Sequence, residues 1–111
     1  ICAGHQYMAR FFDGEVKPAE NPEYGKVELE IVKKDNLFED VPEKSIVWES
    51  HKDEVIVLPK DFIHLASSKD CKIQAMKHNN KLFYGLQFHP EVEHTQYGVQ
   101  IFKNFVKLCI K

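Results

Sequence analysis

Tyr84-Gly85-Leu86-Gln87-Phe88-His89-Pro90-Glu91-Val92-Glu93-His94-Thr95 sets a histidine and a carboxylate two residues apart, stiffened by a proline, directly after a run that reads as a buried strand. A histidine at a strand end with an acid beside it is a general base for a nucleophile. The other end of the chain offers one, in Ile1-Cys2-Ala3-Gly4-His5-Gln6. The residue types point to Cys2, His89 and Glu91 as nucleophile, base and orienting acid.

Around Cys2 the sequence suits a nucleophile elbow. Gly4 to Phe12 is predicted to form a short helix, with Asp13-Gly14 as its stop. Cys2 then precedes the first turn, where free backbone N–H groups and the helix dipole favour a thiolate and a developing oxyanion. Small Ala3 and Gly4 permit the tight strand-to-helix turn. Only Ile1 represents the incoming strand, and a chain starting at Ile1 without an initiator methionine reads as cut.

Between the two motifs, Val16 to Tyr24, with Pro18 and Pro22, reads as a polar surface loop. Val27, Leu29 and Ile31 alternate with Lys26, Glu28 and Glu30, predicting a strand with one wet face. Asp35-Asn36 caps a brief helical turn through Leu37 and Phe38, ended by Pro42. Ser45 to Glu49 and Glu54 to Leu58 are predicted strands, as are Phe62 to Ala66 and Lys72 to Met76. Ser67-Ser68-Lys69-Asp70 turns between the last two, and Asn79-Asn80 turns into Leu82 to Phe88. The closing helix is predicted over Tyr97 to Leu108, with Val99, Phe102, Phe105, Val106 and Cys109 on its core-facing stripe.

The chain is 111 residues long, 43% hydrophobic and 29% charged, enough for one small domain with a modest core. A net charge of -2 and scattered lysines give no field or basic patch for nucleic acid or an anionic membrane. No apolar run approaches a bilayer span. Cys2, Cys71 and Cys109 are odd in number and widely spaced, with no CxxC pair, so free thiols in a cytoplasmic setting are expected. Cys109 reads as a packing residue, and Cys71, ahead of a predicted strand and without metal-ligand spacing, is assigned no site role.

Six histidines raise the question of metal. His89-x-Glu91-x-x-His94 matches neither helix-borne zinc motif, and Pro90 opposes a helix carrying all three groups, so no metal site is expected. His64 reads as a local strand residue and His78 as solvated. Ser50-His51-Lys52-Asp53 interrupts two apolar strands and reads as a solvated turn or a binding loop. On chemistry alone, Cys2, His51 and Asp53 form an alternative triad.

Cys2-Ala3-Gly4-His5-Gln6 taken with Tyr84 to Thr95 resembles the class I, triad-type glutamine amidotransferases. The segments Trp48 to Val55 and His89 to Thr95 resemble most the glutaminase subunit branch of archaeal GMP synthases, and the similarity runs across all 111 residues. The resemblance implies an α/β fold: an open, mostly parallel (mixed) sheet flanked by helices, flavodoxin-like, with its N-terminal part missing. Residues 1–111 would be the C-terminal portion of the amidotransferase domain, beginning at the nucleophile elbow.

It further implies Cys2, His89 and Glu91 as catalytic residues and the Ala3 N–H as an oxyanion donor. Gln6, Ser50 and His51 would bind the substrate L-glutamine, and His51, Lys52 and Asp53 would face a synthetase partner. Ammonia would pass to that ATP-pyrophosphatase subunit, which uses ATP and Mg2+ to convert XMP to GMP; this chain has no phosphate-binding GxxxxGK loop and needs no cofactor of its own. Rival functions are the glutaminase of another amidotransferase, a γ-glutamyl hydrolase or cysteine peptidase, and a non-catalytic interaction domain.

Overall fold

Five strands and two helices make up the computed structural model, which describes residues 1–110. Helix α1 (Ala3–Phe11) is followed by β1 (Glu15–Ile31), a 3-10 turn (Asn36–Phe38), β2 (Lys44–Val57), β3 (Phe62–Ser67), β4 (Ala75–His78), β5 (Tyr84–Leu86) and α2 (Gly98–Cys109). The strands form one sheet in the order β2-β1-β3-β4-β5, and every pairing is antiparallel.

This corrects the expected mostly parallel, flavodoxin-like sheet. A parallel pair needs a crossover of a dozen or more residues, usually helical. Here both helices lie at the ends of the chain, and only turns and a single 3-10 element connect the strands. Successive strands can therefore pair only by reversing direction.

The sheet is curled into a half-barrel. The chain leaves β5 at one edge, and only three residues later the His89 N–H donates to the Trp48 carbonyl on β2, the strand at the other edge. Phe88, fully buried, fills the space between. Residues after His89 then run along β2. The Gln96 N–H donates to the Ile46 carbonyl, and the Ile46 N–H donates to Gln96 Oε1. The free edge of β2 is thereby covered, which removes an unpaired strand edge.

The polar segments at Val16–Tyr24 and Ser50–Asp53 are strand, not loop. Glu15–Pro18 and Glu23–Glu30 pair with β2, and the register shifts between Pro18 and Glu23. Four residues bulge out there, including Pro22, which has no N–H for the ladder. In β2, Ser45, Val47, Glu49, His51 and Val55 alternate inward and are buried. Glu49 and His51 occupy core positions of a regular strand, so the hydropathy pattern breaks while the backbone does not.

Helix α2 also departs from expectation. Its buried residues are Gly98, Ile101 and Asn104, with Asn104 Nδ2 donating to the Leu37 and Glu39 carbonyls at 2.8 Å each. Val99, Phe102, Phe105, Val106 and Cys109, read as the core stripe, are exposed. Asn104 thus meets two carbonyls at the 3-10 turn on the buried face of the helix, and the wider apolar stripe faces outward. His78, expected to be solvated, is instead buried among Phe12, Phe62 and Phe83. Among the described residues, no helix is long and apolar enough to cross a membrane.

Candidate functional site

Cys2 sits at the junction of the two sheet edges. Its N–H donates to the Leu86 carbonyl at 2.7 Å, continuing from β5, and its thiol lies 3.8 Å from the Ser50 carbonyl of β2. The backbone at Cys2 has φ 47 and ψ -102, a left-handed-side conformation that a non-glycine residue adopts at a cost of about 1–3 kcal/mol. The α1 helix starts at once after it, so the thiol stands at the head of the helix rather than inside it.

Burial pushes the Cys2 thiol above its ordinary value, and the Ala3 N–H and the Gln87 amide, both hydrogen-bonding the sulfur, only partly offset it. The resting group is therefore a thiol that needs a base to take its proton.

His89 Nδ1 is 2.7 Å from Glu91 Oε2, so the carboxylate holds that nitrogen as the donor and leaves Nε2 free for proton transfer. Burial tends to raise the Glu91 carboxyl, but its own N–H and His89 outweigh this and bring it below the usual value. Thr95 locks the loop, since its Oγ1 donates to the His89 carbonyl at 2.6 Å and accepts from the Trp48 N–H. Gly98 completes the turn: a Cβ there would lie 2.1 Å from the Pro90 carbonyl oxygen, so any larger residue would displace the segment that carries His89 and Glu91.

Strand β2 touches both the His89 segment and Cys2. Trp48 takes the His89 N–H on its carbonyl, and Ser50, two residues on, meets the Cys2 thiol. His94 lies against the Trp48 ring, with centroids 4.7 Å apart and planes tilted by 36°.

Gln6 stands one helical turn from Cys2. Its Nε2 donates to the Asp53 carbonyl at 2.9 Å and to Gln87 Oε1 at 3.1 Å, and Gln87 Nε2 in turn donates to Cys2 Sγ at 3.5 Å. Gln87 is fully buried, and no motif in the sequence assigns it a role. A polar residue inside a strand-like apolar run is its only sequence signal.

Ser50 and Lys52 are exposed and Asp53 is half-buried, but the His51 side chain points inward. His51 Nδ1 donates to the Asp53 carbonyl at 2.8 Å, while Nε2 faces Glu23 Oε1 at 2.8 Å and Glu49 Oε1 at 3.6 Å. With both ring nitrogens so engaged, His51 is not the base of an alternative triad with Cys2 and Asp53, nor can its side chain present a surface to a partner. Glu23, His51 and Cys71 hold one possible metal-donor atom each within 4.8 Å. However, Glu23 and His51 bond each other, and the Glu23 oxygens also accept from Gln74 and Ser68.

The family model described as glutamine amidotransferase class-I matches residues 1–109. A glutamine-hydrolyzing GMP synthase subunit from Pyrococcus abyssi is 53% identical over 109 residues, which is 98% of this chain and 58% of that protein. The corresponding protein of Archaeoglobus fulgidus is 50% identical over 111 residues, 100% of this chain and 61% of its own length. This chain therefore spans about three-fifths of the curated relatives it matches. The crystal structure of a GMP synthase subunit from Thermoplasma acidophilum superposes with a TM-score of 0.94 at 45% identity, covering 97% of this chain and 54% of that one. With nearly every residue matched by the family model, the chain belongs to the class-I glutamine amidotransferases.

Proposed function

We propose that this chain carries the glutamine-hydrolysing centre of a GMP synthase, with Cys2 as nucleophile, His89 as base and then acid, and Glu91 as the group that orients the imidazole. The observation that carries the reading is the Cys2 thiol at a strained strand-to-helix turn, with the His89–Glu91 pair fastened to the same strand, β2, two residues from the carbonyl the thiol touches.

His89 Nε2 takes the thiol proton as Cys2 Sγ attacks the side-chain amide carbon of glutamine. The oxyanion that forms lies toward the Ala3 N–H at the head of α1, where the helix dipole favours negative charge. Collapse breaks the carbon–nitrogen bond, and the imidazolium gives its proton to the leaving ammonia. Water then adds to the thioester with His89 again as base, releasing glutamate and restoring the thiol. Glu91 holds Nδ1–H and stabilises the imidazolium throughout.

The relatives at about half identity are named as the first of the subunits of a glutamine-hydrolysing GMP synthase. This supports ammonia delivery to a separate ATP-pyrophosphatase subunit that uses ATP and Mg2+ to convert XMP to GMP. Contact with that subunit would fall to exposed Lys52 and the outer side of Asp53, without the His51 side chain. Ser50 would line the glutamine pocket through its backbone.

The test is Cys2→Ala in the full-length protein. Glutamine hydrolysis should fall to background, while GMP formation from XMP with added ammonia and the partner subunit is unchanged. Glutamate release near the wild-type rate would refute the assignment.

A further inference from the structure

Beneath the exposed face of β2 lies a buried polar cluster that the chemistry above does not use. Glu23, Glu49 and His51 are almost wholly removed from solvent. Glu23 and His51 are direct cross-strand partners, and Glu49 lies two residues before His51 on the same face. A backbone carbonyl can only accept, so His51 Nδ1 carries a proton toward Asp53. Nε2 then meets a carboxylate oxygen at 2.8 Å, and that contact requires a second proton between the two atoms. Glu23 is further held by Gln74 Nε2 at 2.8 Å and Ser68 Oγ at 2.7 Å, which fixes it as the acceptor. Among the described residues, neither oxygen of Glu49 has a partner within hydrogen-bond distance and angle, though the Gln74 amide lies near enough to offset a small part of the rise that burial gives its pKa.

From this cluster a continuous line of hydrogen bonds reaches the nucleophile. The Asp53 carbonyl uses its two lone pairs on two donors, His51 Nδ1 at 2.8 Å and Gln6 Nε2 at 2.9 Å. The second Gln6 proton goes to Gln87 Oε1, and Gln87 donates to Cys2 Sγ. Each donor and acceptor in the line is used once in the direction its chemistry allows, so no link can reverse without orphaning a buried group.

We propose that Glu23 and His51 are positioning residues for Cys2, fixing the Asp53 carbonyl so that Gln6 and Gln87 hold a donor against the sulfur, and that ionisation of Glu49 loosens this hold. The proposal rests on Cys2 being the nucleophile only for its effect on turnover. The hydrogen-bond line itself is independent of that reading. His51 ionised opposite Glu23 is the state that grips the carbonyl, and Glu49 stays protonated beside them at neutral pH.

Burial and the neighbouring Glu23 charge push Glu49 up to about 8. The titratable groups facing this pair are Glu23 from β1, Glu54 on β2 itself, Cys71 ahead of β4, and His5 and Cys2 at the head of α1. Ionising Glu49 places a second carboxylate beside His51 Nε2 and competes with Glu23 for its proton. The ring is then drawn off the geometry that serves Asp53.

Cys2 alkylation by iodoacetamide, followed by peptide mapping from pH 6 to 10, reads the line directly in the full-length protein. His51→Gln, and separately Gln87→Met, should slow Cys2 alkylation at pH 7 by roughly three- to tenfold, the worth of one lost hydrogen bond to the sulfur. Glu49→Gln, which mimics the protonated acid, should keep the wild-type rate at pH 7 and remove an inflection near pH 8. Glutamine kcat should follow the same pattern, with KM changing less. Unchanged Cys2 reactivity in both His51→Gln and Gln87→Met, with folding verified by circular dichroism, would overturn the proposal. Loss of the Cys2 assignment itself would show instead as glutaminase activity surviving Cys2→Ala, leaving the alkylation profiles to decide the line.

Discussion

Gln87 Nε2 donates to the Cys2 sulfur across a sequence separation of 85 residues, at 3.5 Å. The pair exists because β5 ends beside the head of α1, with the Cys2 N–H on the Leu86 carbonyl. A side-chain donor on a half-buried sulfur favours the thiolate over the thiol. Together with the Ala3 N–H it counters burial, which holds the thiol up.

His89 and Glu91 should not be equally costly to lose. His89→Ala removes proton transfer at every step and should reduce glutamine hydrolysis by at least about a thousandfold, whereas Glu91→Gln leaves the base in place and should cost less. Steady-state glutamate release from the two variants measures the difference. A Glu91→Gln enzyme as inactive as His89→Ala would mean that the pair acts as a single unit.

Gly98→Ala should harm the site from outside it. The added methyl meets the Pro90 carbonyl oxygen at 2.1 Å, a backbone clash expected to cost about 1–3 kcal/mol as overpacking does. Thermal unfolding should show a lowered Tm. Activity should drop further than stability alone explains, because Pro90 lies between His89 and Glu91. Wild-type Tm and kcat in this variant would rule out a packed Pro90–Gly98 turn.

Stability should fall as pH rises from about 6.5 to about 8. Glu49 is raised by burial to about 8 in the fold, so between its unfolded value near 4.5 and that point the native state binds the extra proton and loses stability with rising pH. His51, also raised on balance despite burial, acts in the same direction above its ordinary value of 6.5. His5, pushed down by burial to about 4, acts oppositely, but only between about 4 and 6.5. Urea unfolding at pH 6.5 and pH 8 should therefore show a decline that Glu49→Gln flattens, the remainder belonging to His51. A decline of the same size in the variant would mean Glu49 is not the group that titrates.

The three thiols should separate cleanly toward a small electrophile. Cys109 is exposed and Cys71 is buried, its thiol pushed far up by burial and the nearby Glu54, Glu23 and Glu49 charges. Iodoacetamide should label Cys109 and Cys2 and spare Cys71 in the native protein. A glutamine-mimicking electrophile such as diazo-oxonorleucine should be confined to Cys2. Native labelling of Cys71 would contradict its burial.

Residue chemistry read along the chain picked out features that are local in the fold. Cys2 before a short helix, the His89-x-Glu91 pair and the Asp35 cap, whose carboxylate accepts from the Leu37 N–H at 3.0 Å, all depend on interactions within a few residues, which local sequence encodes. The family assignment rested on the same short motifs. What lay beyond local sequence was decided by pairing. His51 broke the hydropathy rhythm of β2 and, with Ser50, Lys52 and Asp53, read as a solvated turn or a binding loop, because one residue's polarity says nothing of the Glu23 partner that the bulged β1 brings across to it. Val99, Phe102 and Val106 read as core because a helix's widest apolar stripe usually is, yet the buried face carries Asn104, bonded to the Leu37 and Glu39 carbonyls, and that stripe is exposed. The antiparallel sheet followed from where the helices fall in the chain. Its curl, which sets β5 beside β2 and so carries His89 to the strand that meets Cys2, is a property of all five strands packed around Phe88. Hydrogen-bond partners and curvature are relations between distant segments, and only the folded chain holds them.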